Sequence, residues 1–139
     1  MNKIYMAKIN ATTIEQEEIV KMCIFNTKNE AETWLQEQCD ILEEDLVLFN
    51  KIKKYFDKNI RKNDNSPWLG YAQVLKDFEQ YQLQPEDINI LYVESYNYSI
   101  VEYEIGNETP ISTEYFNNEA IIDEQRVERK LDEYKNSRR

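Results

Sequence analysis

The sequence predicts an α+β fold in which helices cover one face of a four-stranded, mostly antiparallel sheet. Short segments rich in β-branched and aromatic residues occur in pairs, and longer segments repeat apolar residues every three or four positions. The chain has only two glycines and three prolines, which favours long elements over tight turns. The predicted order is β-β-α-α-β-β-α. With 139 residues, we expect a single domain over residues 1–139.

The first two elements are predicted strands. KIYMAKI (3–9) and EIVKMCIF (18–25) are apolar, rich in β-branched residues and joined by a polar segment, so we expect an antiparallel pair. A helix is expected directly afterwards. Thr27 and Glu30 have the spacing of a capping box, in which a hydroxyl and a carboxylate satisfy free backbone donors at a helix start.

A long first helix is predicted over about 27–62. Its apolar residues follow steps of three and four, which keeps one face apolar over the whole segment; they stand at positions 31, 35, 39, 42, 46, 49, 52, 56 and 60. A break near Asp40 or Asn50 stays open at this point. Ser66 and Pro67 then have the pattern of a helix start, and apolar spacing predicts a second helix over 68–83.

Residues 89–108, NILYVESYNYSIVEYEIGNE, hold four of the ten tyrosines of the chain and no lysine or arginine. Their alternation predicts two strands, 88–95 and 98–105, joined by a turn at Tyr96 and Asn97. A loop, GNETPIST, follows. The last element is a charged helix over about 118–136, with Asn118 as the candidate N-cap and an apolar stripe made by Ala120, Val127, Leu131 and Tyr134.

The composition excludes most enzyme classes. The chain contains no histidine, so Ser-His-Asp and Cys-His sites and histidine metal sites are absent. Two glycines do not suffice for a phosphate-binding loop, and two isolated cysteines, Cys23 and Cys39, do not form a structural zinc site. We expect both thiols to be free. No catalytic residue, cofactor or metal site is predicted.

One acidic cluster invites a metal-site interpretation. Glu43, Glu44 and Asp45 are consecutive, but successive side chains on a helix point about 100° apart and do not converge on one cation. We therefore interpret them as a solvated helix turn. A carboxylate-dependent enzyme with a pair of acids that are distant in sequence stays open as a weaker alternative.

The negative charge is concentrated in one segment. Net charge is −10, but residues 63–125 carry thirteen acidic residues and one basic residue, Lys76, for a net charge of −12. The positive residues cluster at 51–62 and near the C-terminus. An acidic surface keeps a protein soluble and attracts basic partners.

The candidate site is a partner-binding face on the predicted second pair of strands. Alternation places one apolar set toward the helices and leaves the other set exposed, and the exposed set comprises Tyr92, Glu94, Tyr98, Glu102 and Glu104. Carboxylates two residues apart on a strand are about 6.5–7 Å apart, a spacing comparable to that of phosphates. Tyrosines between them would add rigid contact area.

The sequence therefore favours a non-enzymatic acidic inhibitor that binds a basic nucleic-acid enzyme, such as a nuclease, as a nucleic-acid mimic. Anti-CRISPR and anti-restriction proteins of phages and mobile elements offer an analogy in size and charge, without a shared motif. We expect a cytoplasmic protein, in a host cell if a phage encodes it, because no signal peptide and no membrane-spanning segment are predicted.

Three alternatives stay open. An immunity protein or antitoxin that neutralises a basic toxin would use the same acidic surface. A nucleic-acid-binding protein would use the basic run 51–62 and the C-terminal arginines, although the net charge disfavours direct nucleic-acid binding. A homodimer would bury apolar residues of the first helix that lie beyond its main stripe.

Overall fold

A computed structural model describes residues 2–13, 17–59, 74, 93–117 and 119–137. Within these residues the fold is α+β, a four-stranded antiparallel sheet and two helices in the order β-β-α-β-β-α, as predicted in outline. The elements are β1 (Lys3–Thr13), β2 (Glu17–Phe25), α1 (Lys28–Asn59), β3 (Val93–Glu104), β4 (Ser112–Tyr115) and α2 (Glu124–Ser137).

The chain divides into two compact units. In the described residues, unit 1 comprises the four strands and residues 28–42 of α1, and unit 2 comprises residues 43–59 of α1, Val74 and α2. The single domain expected over 1–139 stays a prediction. The predicted second helix, 68–83, lies outside the described residues except for Val74, which is helical and buried.

The sheet of unit 1 has the strand order β2-β1-β3-β4. β1 pairs with β2 on one side and with β3 on the other, and every pairing is antiparallel, which confirms the predicted first pair. Residues that face each other across a pair point to the same side of a sheet. Ala7 is paired with both Cys23 and Ile100, so these three side chains share one face.

The predicted hairpin at Tyr96 and Asn97 is wrong. β3 is one strand of 12 residues, because its backbone pairs with β1 continuously through both of these positions. The chain reverses after Glu104 instead, where Gly106 has a positive φ of 90°. β4 follows, and its first two residues, Ser112 and Thr113, lie in the segment that was expected to be a loop.

Helix α1 begins as the sequence predicts and runs to Asn59 without a break at Asp40 or Asn50. The Thr27 hydroxyl accepts a hydrogen bond from the Glu30 amide at 3.2 Å, which confirms the N-cap. In unit 1 the predicted stripe of α1 is buried, namely Ala31, Leu35, Cys39 and Leu42.

Three contacts show which side of the sheet faces α1 in unit 1. The rings of Phe25 and Trp34 lie 5.9 Å apart, and Lys21 donates a hydrogen bond to Gln38 at 2.6 Å. Lys28 forms an ion pair with Glu114 at 2.6 Å. The helix therefore covers the side that carries Ala7, Ile9 and Ala11, all buried. We call this side the helix-covered face and the opposite side, on which Ile24 and Tyr115 of the outer strands are more than half exposed, the open face.

Unit 2 has its own apolar core, formed by Leu48, Phe49, Ile52, Phe56, Val74, Val127, Leu131 and Tyr134. The predicted stripe of the last helix is buried at Val127, Leu131 and Tyr134. Its predicted start at Asn118 is wrong, since α2 begins at Glu124. Asp123 is the N-cap, because its carboxylate accepts a hydrogen bond from the Arg126 amide at 3.1 Å.

Both cysteines are free thiols, as predicted, with Cys39 buried and Cys23 half-buried. Neither helix within the described residues is long and apolar enough to cross a membrane.

Candidate protein-binding surface

The structure does not bring the five predicted site residues together on one exposed face. Tyr92 lies outside the described residues. Glu94 is exposed at the register shift between β1 and β3, and Glu104 is half-buried. Tyr98 is only 7% exposed, so its placement on an exposed face is wrong. Partner binding by Glu94, Glu102 and Glu104 stays a prediction.

Glu102 is engaged within the chain itself. Its carboxylate forms an ion pair with Lys3 at 3.0 Å and accepts hydrogen bonds from the hydroxyls of Ser112 at 3.2 Å and Tyr5 at 3.4 Å. These interactions, led by the Lys3 hydrogen bond, hold the pKa of Glu102 below its usual value. A row of phosphate-like charges along β3 is therefore interrupted at Glu102.

The burial of Tyr98 has a steric reason. On the helix-covered face, Ile9 is paired with Tyr98 and Ala11 is paired with Tyr96, so small or medium side chains on β1 stand beside large ones on β3. Alanines leave the space that a helix needs to approach the sheet while tyrosines fill the remainder. β3 carries a mixture of apolar and polar residues on each side, and so its alternation does not decide which side the helix covers.

The open face carries the large exposed apolar side chains of the sheet. Paired positions form rows across the strands, one of Ile24, Met6, Val101 and Thr113, and the next of Met22, Lys8, Ser99 and Tyr115. Ile4 and Tyr103 form a shorter row beyond the first, and Ile19 lies beyond the second, paired with Asn10. The sequence reasoning missed this surface because it assigned the open side of β3 to the core.

Exposure on the open face is greatest at the two outer strands. Ile19 and Met22 are each 55% exposed, Ile24 is 61% exposed and Tyr115 is 70% exposed, whereas Val101 on the inner strand is 5% exposed. Three of these side chains form one exposed apolar group along β2, and Tyr115 stands apart on β4, across two inner strands on which Val101 is buried. Monomeric proteins seldom leave such a group of large apolar side chains in water without an interaction role. This group is the candidate protein-binding surface of unit 1.

Negative charge is unequally divided between the units. The described residues of unit 1 hold twelve carboxylates and four lysines, for a net charge of −8. Those of unit 2 hold nine carboxylates and eight basic residues, for a net charge of −1. In unit 1, Lys3, Lys21 and Lys28 are engaged with Glu102, Gln38 and Glu114, respectively.

In unit 2, the interpretation of Glu43, Glu44 and Asp45 as a solvated turn is wrong for two of the three residues. Glu44 is 6% exposed and Asp45 is 7% exposed. Arg126 donates two hydrogen bonds to Glu44, from Nε at 2.5 Å and from Nη2 at 2.7 Å, and the Asp123 amide donates a third at 3.2 Å. The Arg126 hydrogen bonds hold the pKa of Glu44 below its usual value.

Asp45 has the opposite electrostatics. Burial raises the pKa of its carboxyl from 3.8 to about 7, although the positive charge of Lys130 partly opposes the shift. Its Oδ2 atom is buried and accepts no hydrogen bond in the structure. Two adjacent carboxyls on one helix turn therefore differ in their preferred state, Glu44 being a carboxylate at neutral pH and Asp45 being an acid below about pH 7.

The basic run on α1 is partly neutralised. Lys51 forms an ion pair with Glu128 at 2.7 Å, and Lys53 forms one with Asp57 at 2.5 Å. Both pairs take positive charge away from phosphate binding. Among the described residues, no group of three or more cysteine or carboxylate side chains is placed to hold a metal ion.

Comparisons of this chain with models of protein families, with curated proteins and with solved structures gave no significant match.

Proposed function

We propose that this chain is a non-enzymatic inhibitor that binds a basic nucleic-acid enzyme through unit 1. The observation that carries the proposal is the charge of that unit, −8 in its described residues against −1 in unit 2. A charge concentrated in this way attracts a positively charged protein over several ångströms and speeds encounter. The same field repels nucleic acid, so the partner is a protein.

The proposed inhibitor acts by occupying a surface that the enzyme needs for its nucleic acid. A nucleic-acid groove is lined with lysine and arginine, and an acidic protein seated there competes with phosphate contacts. Because Glu102 is paired with Lys3, we attribute the attraction to the carboxylates of unit 1 as a group rather than to a regular row on β3. The proposed location is the cytoplasm, that of a host cell if a phage encodes the chain.

The test uses a panel of purified nucleases from three classes, CRISPR effectors, restriction endonucleases and toxin nucleases. Binding of the full chain is measured by biolayer interferometry at low and high salt, and cleavage is measured in parallel. We expect at least one nuclease to be bound and inhibited, with association slowed by salt. Binding and inhibition of a toxin nuclease alone would assign the chain to the immunity or antitoxin class.

A matched pair of variants tests the role of unit 1. Glu94→Gln with Glu104→Gln removes two charges from unit 1, and Asp132→Asn with Glu133→Gln removes two from unit 2. We expect the first pair to slow association by about three- to tenfold and the second to leave it nearly unchanged. Equal effects of both pairs, or no binding by any nuclease, would refute the proposal.

A further inference from the structure

We infer that the basic partner binds the open face of the sheet with an apolar patch of its own surface. This inference rests on the proposed function. The side chains that carry it are Ile19, Met22, Ile24 and Tyr115, each between 55% and 70% exposed. They lie on one side of the sheet by strand register, and α1 covers the other side in unit 1. The structure thus separates an apolar binding face from the helix-covered core.

The size of the open face indicates how the partner must be built. The whole face, four strands about 4.8 Å apart and three residue steps of nearly 7 Å, measures roughly 15 by 20 Å, and its exposed apolar part is smaller because Val101 on β3 is buried. This area, about 300 Å², is well below the roughly 800 Å² that each partner buries in a standard interface. The remaining contact must therefore come from the surroundings of the face.

The surroundings of the open face are acidic, and this charge favours a partner whose interface has a positively charged rim. Unit 1 has a net charge of −8 in its described residues, and exposed carboxylates include Glu17 beside the face and Glu108 in the β3–β4 connection. A complementary partner carries an apolar ridge with lysine and arginine around it. This is the usual arrangement of an apolar interface centre and a polar rim.

One cation lies inside the open face. Lys8 stands between Met22 and Ser99 in its row, is half-buried, and makes no hydrogen bond or ion pair with any described residue. Its alkyl stem adds apolar area, and its ammonium group needs an oxygen acceptor when water is removed. The inferred partner therefore presents one carboxylate, amide or carbonyl oxygen opposite Lys8.

A second copy of this chain is a poorer occupant. A symmetric pair built on the open face would bring two copies of unit 1, each with a net charge of −8 in its described residues, against each other. Like charges around both rims oppose that contact, whereas a basic protein is attracted by the same rim.

The experiment compares two isoleucines of unit 1 with similar exposure. Ile24→Asp places a charge on the open face, where Ile24 is 61% exposed, and Ile41→Asp is the matched control on α1, where Ile41 is 50% exposed. Binding of each full-length variant is measured against the nuclease that the panel identifies. We expect Ile24→Asp to weaken binding by about 30-fold, as for an interface hot spot, and Ile41→Asp by less than about threefold.

A second variant and a folding control keep the result interpretable. Tyr115→Asp changes the opposite edge of the same face, and far-UV circular dichroism with thermal melting establishes that all variants are folded. Loss of binding in both open-face variants, with Ile41→Asp unaffected, supports the inference. Equal binding by Ile24→Asp and Ile41→Asp refutes it, even when the paired glutamate variants still slow association and so uphold the proposed function.

Self-association and nucleic-acid binding are the remaining outcomes. Sedimentation equilibrium of the wild-type chain that shows a dimer, abolished by Ile24→Asp, would assign the open face to a second copy and overturn the inference. A gel-shift with single- or double-stranded DNA that Ile24→Asp abolishes would also overturn it. If no nuclease in the panel binds, the proposed function and this inference fail together.

Discussion

Replacement of Asp45 by asparagine is expected to make the protein more stable above neutral pH. Asparagine has nearly the same shape as aspartate but carries no charge, so it removes the need to ionise a buried carboxyl. Lys130, Arg126 and Glu44 are the charged groups that influence the Asp45 carboxyl, and Glu44 repels it while the two cations attract it. Burial outweighs both cations, which is why the pKa of Asp45 is raised.

The magnitude follows from the pKa of Asp45. Burial raises this pKa from 3.8 to about 7. Each unit of difference between the pKa in the folded state and the pKa in the unfolded state corresponds to about 1.4 kcal/mol in the free energy of unfolding. Ionised Asp45 thus destabilises the folded state by up to about 4 kcal/mol. Between these two values the folded state binds a proton that the unfolded state has released, so stability falls as pH rises through this window.

Glu44 has the opposite pH dependence. Its pKa is lowered by Arg126, so the stability that this ion pair contributes is present above the usual glutamate value of 4.5 and is lost as pH falls below it. The wild-type protein should therefore be most stable near about pH 4, where stability falls toward lower pH because of Glu44 and toward higher pH because of Asp45.

The assay is guanidinium unfolding, followed by circular dichroism, at several pH values between about 4 and 8. The fall in stability toward higher pH should flatten in Asp45→Asn and persist in Glu133→Gln, an exposed control on α2. A carbon-13 titration of the Asp45 carboxyl provides a direct reading. Parallel stability curves for wild type and Asp45→Asn, or titration of Asp45 near 4, would refute the reasoning.

Three further predictions concern stability and are measured by the same unfolding assay near pH 7. Arg126→Gln leaves the buried Glu44 carboxylate without its two strongest donors and should cost about 2 kcal/mol, with the loss disappearing at low pH once Glu44 is protonated. Thr27→Ala removes the N-cap of α1 and should cost about 1 kcal/mol, whereas Thr27→Ser should cost less. Gly106→Ala meets no atom within 4 Å but forces alanine to a φ of 90°, so a cost of about 1 kcal/mol is expected from strain alone. An unchanged midpoint in any of these variants contradicts the contact or the backbone strain on which its prediction rests.

Local patterns predicted the elements whose signals are local. The capping box at Thr27 fixed the start of α1, and the three- and four-residue spacing identified its buried stripe. The free thiols and the antiparallel pairing of β1 with β2 also followed from sequence. The start of α2 was missed because Asn118 and Asp123 are both acceptable N-cap residues, and their side chains give no local reason to choose between them.

The candidate site was harder to predict because it depends on pairing. The turn at Tyr96 and Asn97 was inferred from one short segment, but β1 supplies a partner for the whole of β3 and keeps it extended. The same pairing sets Tyr98 beside Ile9 under α1 and turns the other side of β3 toward the open face. No pattern within β3 contains this information.

The sequence by itself determined the fold class, the concentration of negative charge and the absence of histidine-based chemistry, because these depend on composition and on contacts within a few residues. Only the tertiary structure decided which face of the sheet α1 covers, that Glu102 is paired with Lys3, and that Glu44 and Asp45 are buried with opposite electrostatics. Burial and pairing join residues up to about a hundred positions apart in the chain, as for Lys3 and Glu102, and the cost or gain of a charge depends on those neighbours.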